Sequence, residues 1–177
     1  TNINNISQNS LRKIIGVVPQ DTVLFNDSIY YNIAYGNASS SEEEVINAAK
    51  NADIHNFISS LPDGYKTIVG ERGLKLSGGE KQRVAIARTI LKNPKIFFFD
   101  EATSALDTST EKEIQKNLEN ISAGKTTLII AHRLSTAANA DNIIVLDKGA
   151  IIEQGTHQSL LLEKGKYFEM WEKQKPS

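Results

Sequence analysis

The sequence contains no cysteine, a single tryptophan, a single methionine and only four prolines in 177 residues. The absence of thiols excludes disulfide bonds and thiolate metal sites. No apolar run approaches the ~20 residues that a membrane span needs. Neither sign of charge predominates, because the chain has 20 Lys and Arg residues and 21 Asp and Glu residues. This balance argues against a surface dedicated to nucleic acid.

A phosphate-binding loop of the pattern Gly-x-x-x-x-Gly-Lys-Ser/Thr is absent as well. Gly124-Lys125-Thr126 looks like its last part, but Glu119 stands where the first glycine of the pattern belongs. We therefore expect Gly124 to end a helix and Lys125 to be an exposed charge.

What the chain does contain is a glycine pair at the start of a predicted helix. Residues 76–80 read Leu-Ser-Gly-Gly-Glu and precede a helical pattern that continues to Asn93, where Pro94 prevents its extension. Glycines leave the backbone N–H groups uncovered, and a helix start carries about half a positive charge, which suits a phosphate. Taken alone, such a turn is more often a simple helix cap.

An apolar strand that ends in two carboxylates follows. Ile96–Phe99 is apolar on both faces, which predicts a strand buried in a parallel sheet. Ligands of such sheets bind at the carboxyl ends of the strands, where Asp100 and Glu101 fall. An aspartate there can hold Mg²⁺ and a glutamate can act on water. Solvated loop acids are the simpler interpretation, but the nearby glycine turn favours a phosphate site.

These features resemble the ATP-binding cassette (ABC) ATPases. Residues 76–80 resemble the signature motif of that family, residues 96–101 its Walker B strand, and residues 104–107, Ser-Ala-Leu-Asp, its D-loop. Gln20, after the predicted strand Lys13–Val18, resembles the Q-loop glutamine. His132, after the apolar run Thr127–Ala131, resembles the switch histidine. The five motifs stand in the family's order and cover nearly the whole chain.

The resemblance implies an α/β fold with a P-loop NTPase-like (ABC ATPase) core sheet and an all-α signature subdomain, the N-terminal part of the core being missing. The expected divisions are residues 1–19 for the end of the N-terminal part of the core, 20–93 for the helical signature subdomain, and 94–177 for the C-terminal part of the core. The phosphate loop, its lysine and the aromatic that stacks on adenine are expected upstream of this chain.

The resemblance also implies roles for individual residues. Glu101 and His132 are expected to be catalytic, and Gln20 and Asp100 to hold Mg²⁺. Contacts to ATP are implied for seven residues, namely Gln20, Ser77, Gly78, Gly79, Glu80, Gln82 and Asp107.

The implied partners are a second nucleotide-binding domain and the coupling helices of a transmembrane domain that is not in this chain. Two domains would sandwich two ATPs, and Phe25 and Tyr30 are expected at the coupling-helix surface. Residues 67–73 look like a short motif of ABC exporters. Residues 21–27 and 73–82 are most like half-transporters of the mitochondrial iron–sulfur and heavy-metal-tolerance branch. Location at the mitochondrial inner membrane, on its cytosolic or matrix side, follows from that likeness.

Two alternatives stay open at this point. A non-transport ABC ATPase of the chromosome-maintenance or DNA-repair type also carries a Leu-Ser-Gly-Gly signature, although no heptad run appears here. An inactive fragment that lacks the phosphate loop is the other alternative.

Several local expectations complete the sequence-based prediction. Residues 1–9 are expected to form a loop, Ser41 and Glu44 a capping box, and Thr127–Ala131 a buried strand. Arg83 and Arg88 are expected to make structural ion pairs. A helix capped by Asp107 or Thr108 is expected to bury Ile114, Leu118 and Ile121. A hairpin is expected to turn at residues 148–149, and two C-terminal helices to close the chain.

Overall fold

The computed structural model describes residues 2–101, 108–131 and 133–174, except for the side chains of residues 108–113. The chain forms two compact units, residues 1–130 and residues 131–177. The described part of the first unit contains a 3-10 turn at Ile3–Asn5, α1 (Gln8–Ile14), β1 (Ile15–Val18), α2 (Ile29–Ala34), α3 (Glu42–Asn51), α4 (His55–Ser60), a second 3-10 turn at Gly64–Lys66, α5 (Gly78–Lys92), β2 (Ile96–Asp100), α6 (Thr108–Ser122) and β3 (Thr126–Ile130).

The three strands of this unit form a parallel sheet in the order β1-β2-β3. Val18 lies beside Phe99, and Phe99 lies beside Ile129. The carboxyl ends of all three strands therefore meet at one edge of the sheet, which is the edge where such sheets bind ligands. The α/β class and the parallel sheet are as predicted.

One face of the sheet is buried and the other is largely open. Val18, Phe97 and Phe99 belong to the core that also contains Val84 and Ile86 of α5. On the opposite face the exposed fraction is 54% for Val17, 45% for Leu128 and 50% for Ile130. The expectation that residues 127–131 form a buried strand is therefore wrong for this chain. Their apolar character would suit a sheet covered on both faces, whereas β3 is an edge strand here.

Side-chain caps define most of the helix starts. The capping box of Ser41 and Glu44 is confirmed at α3, and Ser28 caps α2. The expectation of a loop at residues 1–9 is wrong in part, because α1 already begins at Gln8. Ser7 Oγ accepts the N–H of Ser10 at 3.3 Å and so starts that helix.

The later part of the first unit agrees with the pattern of its apolar residues. α6 begins at Thr108 and buries Ile114 and Leu118, with Ile121 packed against the same core. Gly124 follows this helix with φ +72°, a backbone conformation that glycine adopts without strain. Lys125 is half-buried rather than exposed, and its Nζ donates to Asn93 Oδ1 at 2.7 Å.

The second unit contains α7 (Leu134–Ala137), β4 (Ile143–Asp147), β5 (Ala150–Gly155), α8 (His157–Glu163) and α9 (Lys166–Gln174). β4 and β5 form the predicted hairpin, and Lys148 and Gly149 both have positive φ, at +47° and +79°. Such a pair suits the tight turns that match strand twist. The Glu153 carboxylate of β5 accepts the N–H groups of Lys166 and Tyr167 and so caps α9.

Candidate functional site

The carboxyl ends of β1 and β2 bring two predicted site residues into contact. Gln20 follows β1 after Pro19, and Glu101 directly follows β2. Gln20 Nε2 donates a hydrogen bond to Glu101 Oε2 at 2.9 Å, although the two residues are 81 positions apart. Parallel pairing of the strands explains this contact, since both strands end at the same edge. An amide and a carboxylate thus share a site that is open to solvent.

The backbone of Glu101 has an unusual conformation. Its φ is +46°, and its N–H donates to Ile130 O at 3.0 Å. A left-handed conformation costs an L-residue other than glycine roughly 1–2 kcal/mol. Strain of this kind is found where the position of a side chain matters to function.

Asp100 provides the second carboxylate of this edge. It is half-buried and lies on the same face of β2 as Ile96 and Phe98, opposite the buried Phe97 and Phe99, so its side chain lies on the open face of the sheet. Oxygen atoms of Asp100 and Gln20 are of the kind that Mg²⁺ prefers. Among the described residues no group of three His, Cys, Asp or Glu could enclose a metal ion. One carboxylate and one amide oxygen are a donor set that fits a magnesium ion held by one or two protein groups together with phosphates.

The glycine turn at the start of α5 is open to solvent. Ser77 is the N-cap, and its Oγ accepts the N–H of Glu80 at 3.3 Å, while Glu80 Oε2 accepts the N–H of Ser77 at 2.7 Å. Ser77 and Gly78 are exposed and Gly79 is half-buried. We call Ser77–Gly79 the signature turn. The N–H groups of Gly78 and Gly79 belong to the first turn of a 15-residue helix, a position that suits a bound anion.

Gln82 lies elsewhere than the resemblance implies. Its side chain is 2% exposed. Gln82 Nε2 donates to Pro19 O at 3.0 Å, and Gln82 Oε1 accepts from Thr22 Oγ1 at 3.0 Å. A buried amide with both ends engaged offers no free group to a nucleotide in this conformation. We call residues 19–22 the Gln20 loop. The side chain of Gln82 therefore joins α5 to this loop.

Residues 67–73, the predicted exporter motif, are anchored by backbone hydrogen bonds to the segment before α2. Ile29 N–H donates to Thr67 O at 3.0 Å, and Val69 N–H donates to Asp27 O at 2.9 Å. Gly70 has φ +98°, and a Cβ there would stand 2.5 Å from Asn26 Oδ1. Glycine is therefore required at this position, and the motif has a defined place beside residues 26–29.

An exposed aromatic patch lies next to this segment. It consists of Phe25, Tyr31 and Tyr35, which are 41%, 43% and 58% exposed. The Phe25 ring centroid is 5.9 Å from that of Tyr31 and 4.5 Å from that of Tyr35. Tyr30, which was expected beside Phe25 at this surface, packs instead against the core. Successive residues of a helix point in different directions, and Tyr31 takes the outward one.

Arg88 connects the aromatic patch to α5. Its Nε donates to Asn32 O at 2.7 Å, its Nη2 donates to Asn32 Oδ1 at 3.1 Å, and its guanidinium lies 5.4 Å from the centre of the Phe25 ring. Burial lowers the pKa of Arg88, while the nearby Tyr35 opposes that shift. The expected ion pair of Arg88 is thus replaced by neutral acceptors. Arg83, by contrast, lies 3.6 Å from the Asp53 carboxylate, as predicted.

Two predicted site residues, Asp107 and His132, lie outside the described residues. The sequence analysis did not identify two residues that support the site, namely Thr22 and Asn32. Asn32 is fully buried, accepts the N–H of Phe25 at 2.9 Å and donates to Phe25 O at 3.1 Å. Neither residue belongs to a recognisable sequence pattern, because each forms hydrogen bonds with a segment that is distant in sequence or irregular in structure.

Comparison with known proteins gives concordant results. The family model described as ABC transporter matches residues 1–104. Heavy metal tolerance factor 1 of Caenorhabditis elegans is 63% identical over 172 residues, which are 97% of this chain and 22% of that protein. The ATM1-type heavy metal exporter of Novosphingobium aromaticivorans is 60% identical over 172 residues, which are 97% of this chain and 28% of that protein.

A solved structure gives the same result for the fold. The structure of a bacterial Atm1-family ABC exporter with ATP bound superposes with a TM-score of 0.95 and 58% sequence identity, covering 99% of this chain and 31% of that one. The chain therefore spans less than a third of the length of these proteins. In the ranges that the structure describes, none of the helices has the length and apolar character needed to cross a bilayer.

Proposed function

Since the chain belongs to the ABC transporter family, we propose that it is the later part of an ATP-hydrolysing nucleotide-binding domain that powers export across a membrane. The observation that carries the proposal is the contact of Gln20 with Glu101 at the carboxyl ends of two parallel strands, beside Asp100. The exposed signature turn also supports the proposal, because it could contact the opposite side of a nucleotide bound by a second chain. One named relative and the solved structure are exporters by name, which favours transport over the DNA-repair alternative.

The proposed site is composite. Two chains face each other, and each ATP lies between the edge that carries Gln20, Asp100 and Glu101 in one chain and the signature turn of the other. Asp100 and Gln20 would hold Mg²⁺, which neutralises phosphate charge. The amides of the signature turn hold phosphate oxygens on the opposite side. Catalysis is then positioning and electrostatic stabilisation of the transferred phosphoryl group.

Glu101 has the chemical role in this arrangement. It orients the attacking water and accepts its proton, and its strained backbone and the bond from Gln20 fix the carboxylate before substrate binds. From the family resemblance, we propose that His132 holds the γ-phosphate and that Asp107 crosses the dimer interface. From the same resemblance, we propose that the helical signature subdomain comprises residues 20–93, between the two parts of the core.

The proposed membrane partner is a coupling helix that contacts the aromatic patch. Three exposed rings in mutual contact form an apolar surface with polar edges, as expected of an interface. The anchored residues 67–73 lie beside it. Because two relatives are named for heavy metals, we propose a metal-related cargo. One relative, from Arabidopsis thaliana, is named as mitochondrial, which supports a mitochondrial membrane as the location.

Substitution of Glu101 by glutamine in the intact protein tests the proposal. The amide keeps the size of the side chain and cannot accept a proton, so we expect ATP turnover to fall by about 10²–10⁴-fold while ATP still binds. The ATP-bound dimer should accumulate, as measured by retention of labelled nucleotide and by particle size. Glu119→Gln, at an exposed position of α6, is the matched control. Near-normal turnover of Glu101→Gln would refute the assignment.

A further inference from the structure

The buried amide of Gln82 joins two segments of the candidate site. Pro19 O can only accept a hydrogen bond, so the Gln82 atom that faces it at 3.0 Å must be Nε2. This orientation turns Gln82 Oε1 toward the Thr22 hydroxyl, which donates at 3.0 Å. The position of the amide is therefore fixed by two chemically different partners.

The two partners of Gln82 flank Gln20. Pro19 precedes it and Thr22 follows it by two positions, while Gln20 itself reaches the Glu101 carboxylate at 2.9 Å. The backbone on both sides of Gln20 is thus tied to α5. A displacement of α5 must move the Gln20 loop, or else break both hydrogen bonds of an amide that is 2% exposed.

The other end of this connection is the signature turn. Gln82 lies five positions after Ser77 in the same helix, or about 7.5 Å along the helix axis. Thr89, two turns further on the same face, shares its hydroxyl proton between Ala85 O of its own helix at 3.0 Å and Val17 O of β1 at 3.2 Å, and so joins α5 to β1 as well. A helix attached at both points moves as one body with the strand and the loop beside it.

We propose that Gln82 is a positioning residue that couples the Gln20 loop to the signature turn of the same chain. The inference rests on the proposed function, in which the signature turn acts at the partner's ATP while Gln20 and Glu101 act at the chain's own ATP. Through Gln82, a change in the position of the Gln20 loop at one composite site then alters the position of the signature turn at the other site. A merely structural glutamine would contribute to stability alone.

A double-mutant cycle in the intact protein tests this role. Gln82→Met keeps the size of the side chain and removes both hydrogen bonds, and Thr22→Val removes the donor hydroxyl. We expect Gln82→Met to lower kcat about tenfold, with a smaller change in KM, and to reduce the Hill coefficient for ATP. Thr22→Val should have a weaker effect alone and little further effect when combined with Gln82→Met, because both remove the same contact.

The control is Gln8→Met, at an exposed position of α1. All variants are compared at a temperature where thermal unfolding shows them folded. Unchanged kcat and Hill coefficient with lowered thermal stability would overturn the proposal, as would strictly additive effects of the two substitutions. Should Gln82→Met not fold, Thr22→Val decides by the same two readouts.

The same experiment separates failure of this inference from failure of the proposed function. If the unsubstituted protein hydrolyses ATP and Glu101→Gln abolishes that activity, an effect confined to stability contradicts the role of Gln82 alone. If the unsubstituted protein does not hydrolyse ATP, the proposed function itself is contradicted.

Discussion

At the scale of single residues, the carboxylate of Glu80 offers a test of the proposed site, because it lies in the first turn of α5 beside the signature turn. It accepts the N–H of Ser77 at 2.7 Å and completes the cap of the helix. The same negative charge opposes a phosphate at the signature turn. Helix capping and nucleotide binding therefore make contrary demands on this one side chain.

Glu80→Gln is expected to strengthen ATP binding. A glutamine can complete the same capping box, so the helix start should persist while the like charge is removed. The screened interaction is worth about 1 kcal/mol, or roughly fivefold in affinity. Nucleotide titration of the intact protein at two salt concentrations measures this effect, and the gain should shrink as salt rises.

Glu119→Gln removes the same charge at a distance from the turn and should leave the affinity unchanged. Unaltered or weaker binding by Glu80→Gln, with an intact fold, would show that the signature turn does not meet a phosphate.

The positions of the site residues could be predicted from the sequence in some cases and not in others. Gln20, Asp100 and Glu101 follow apolar runs directly, so their meeting at one sheet edge follows from parallel pairing. The burial of Gln82 was not predictable, because the helical period of α5 places polar residues without stating what covers them. Its partners Pro19 and Thr22 lie 63 and 60 positions away in sequence.

At the scale of elements, polar side chains of α5 join this helix to several other segments of the first unit. Gln82 holds the Gln20 loop, Arg83 lies close to Asp53, Arg88 holds Asn32 and Thr89 holds β1. The helix, its cap and its end at Asn93 were predictable from glycine, serine and proline. Its polar attachments were not, because they depend on tertiary neighbours.

Asn32 gives the clearest test of these attachments. It is fully buried. Its side-chain oxygen accepts from the Phe25 N–H and the Arg88 guanidinium, and its side-chain nitrogen donates to Phe25 O and, at 3.0 Å, to Ser28 O. Asn32→Ala leaves several buried groups without a partner. We expect a loss of about 3 kcal/mol in the free energy of unfolding.

The measurement is thermal denaturation of the intact protein, where this domain should melt roughly 6–12 °C lower. Asn56→Ala, at an exposed position of α4, should shift the transition by only a small amount. An equally small shift for Asn32→Ala would mean that the network around the aromatic patch does not stabilise the domain.

At the scale of the whole molecule, the open face of the sheet is the main departure from the sequence-based expectation. Val17, Leu128 and Ile130 have the composition of buried residues and are half-exposed. The parallel sheet could be predicted from the apolar runs, and the class of the fold from the resemblance to the ABC ATPases, but the order of the strands was not predicted. Burial could not, because it depends on what lies against each strand as well as on the strand itself.

The central claim is that each ATP site is shared between two chains. It is tested most directly by mixed dimers purified with two different affinity tags, which combine Glu101→Gln with Ser77→Arg. When one chain carries both substitutions and its partner neither, both composite sites are damaged. When each chain carries one substitution, one damaged site contains both and the other is intact.

The measurement is ATP turnover by the two mixed dimers. The account predicts that the dimer with the substitutions on separate chains hydrolyses ATP, while the dimer with both on one chain loses turnover by about the 10²–10⁴-fold expected for loss of a general base. The reverse order, with more activity when both substitutions share a chain, would place the signature turn and Glu101 of one chain at the same ATP and contradict the claim.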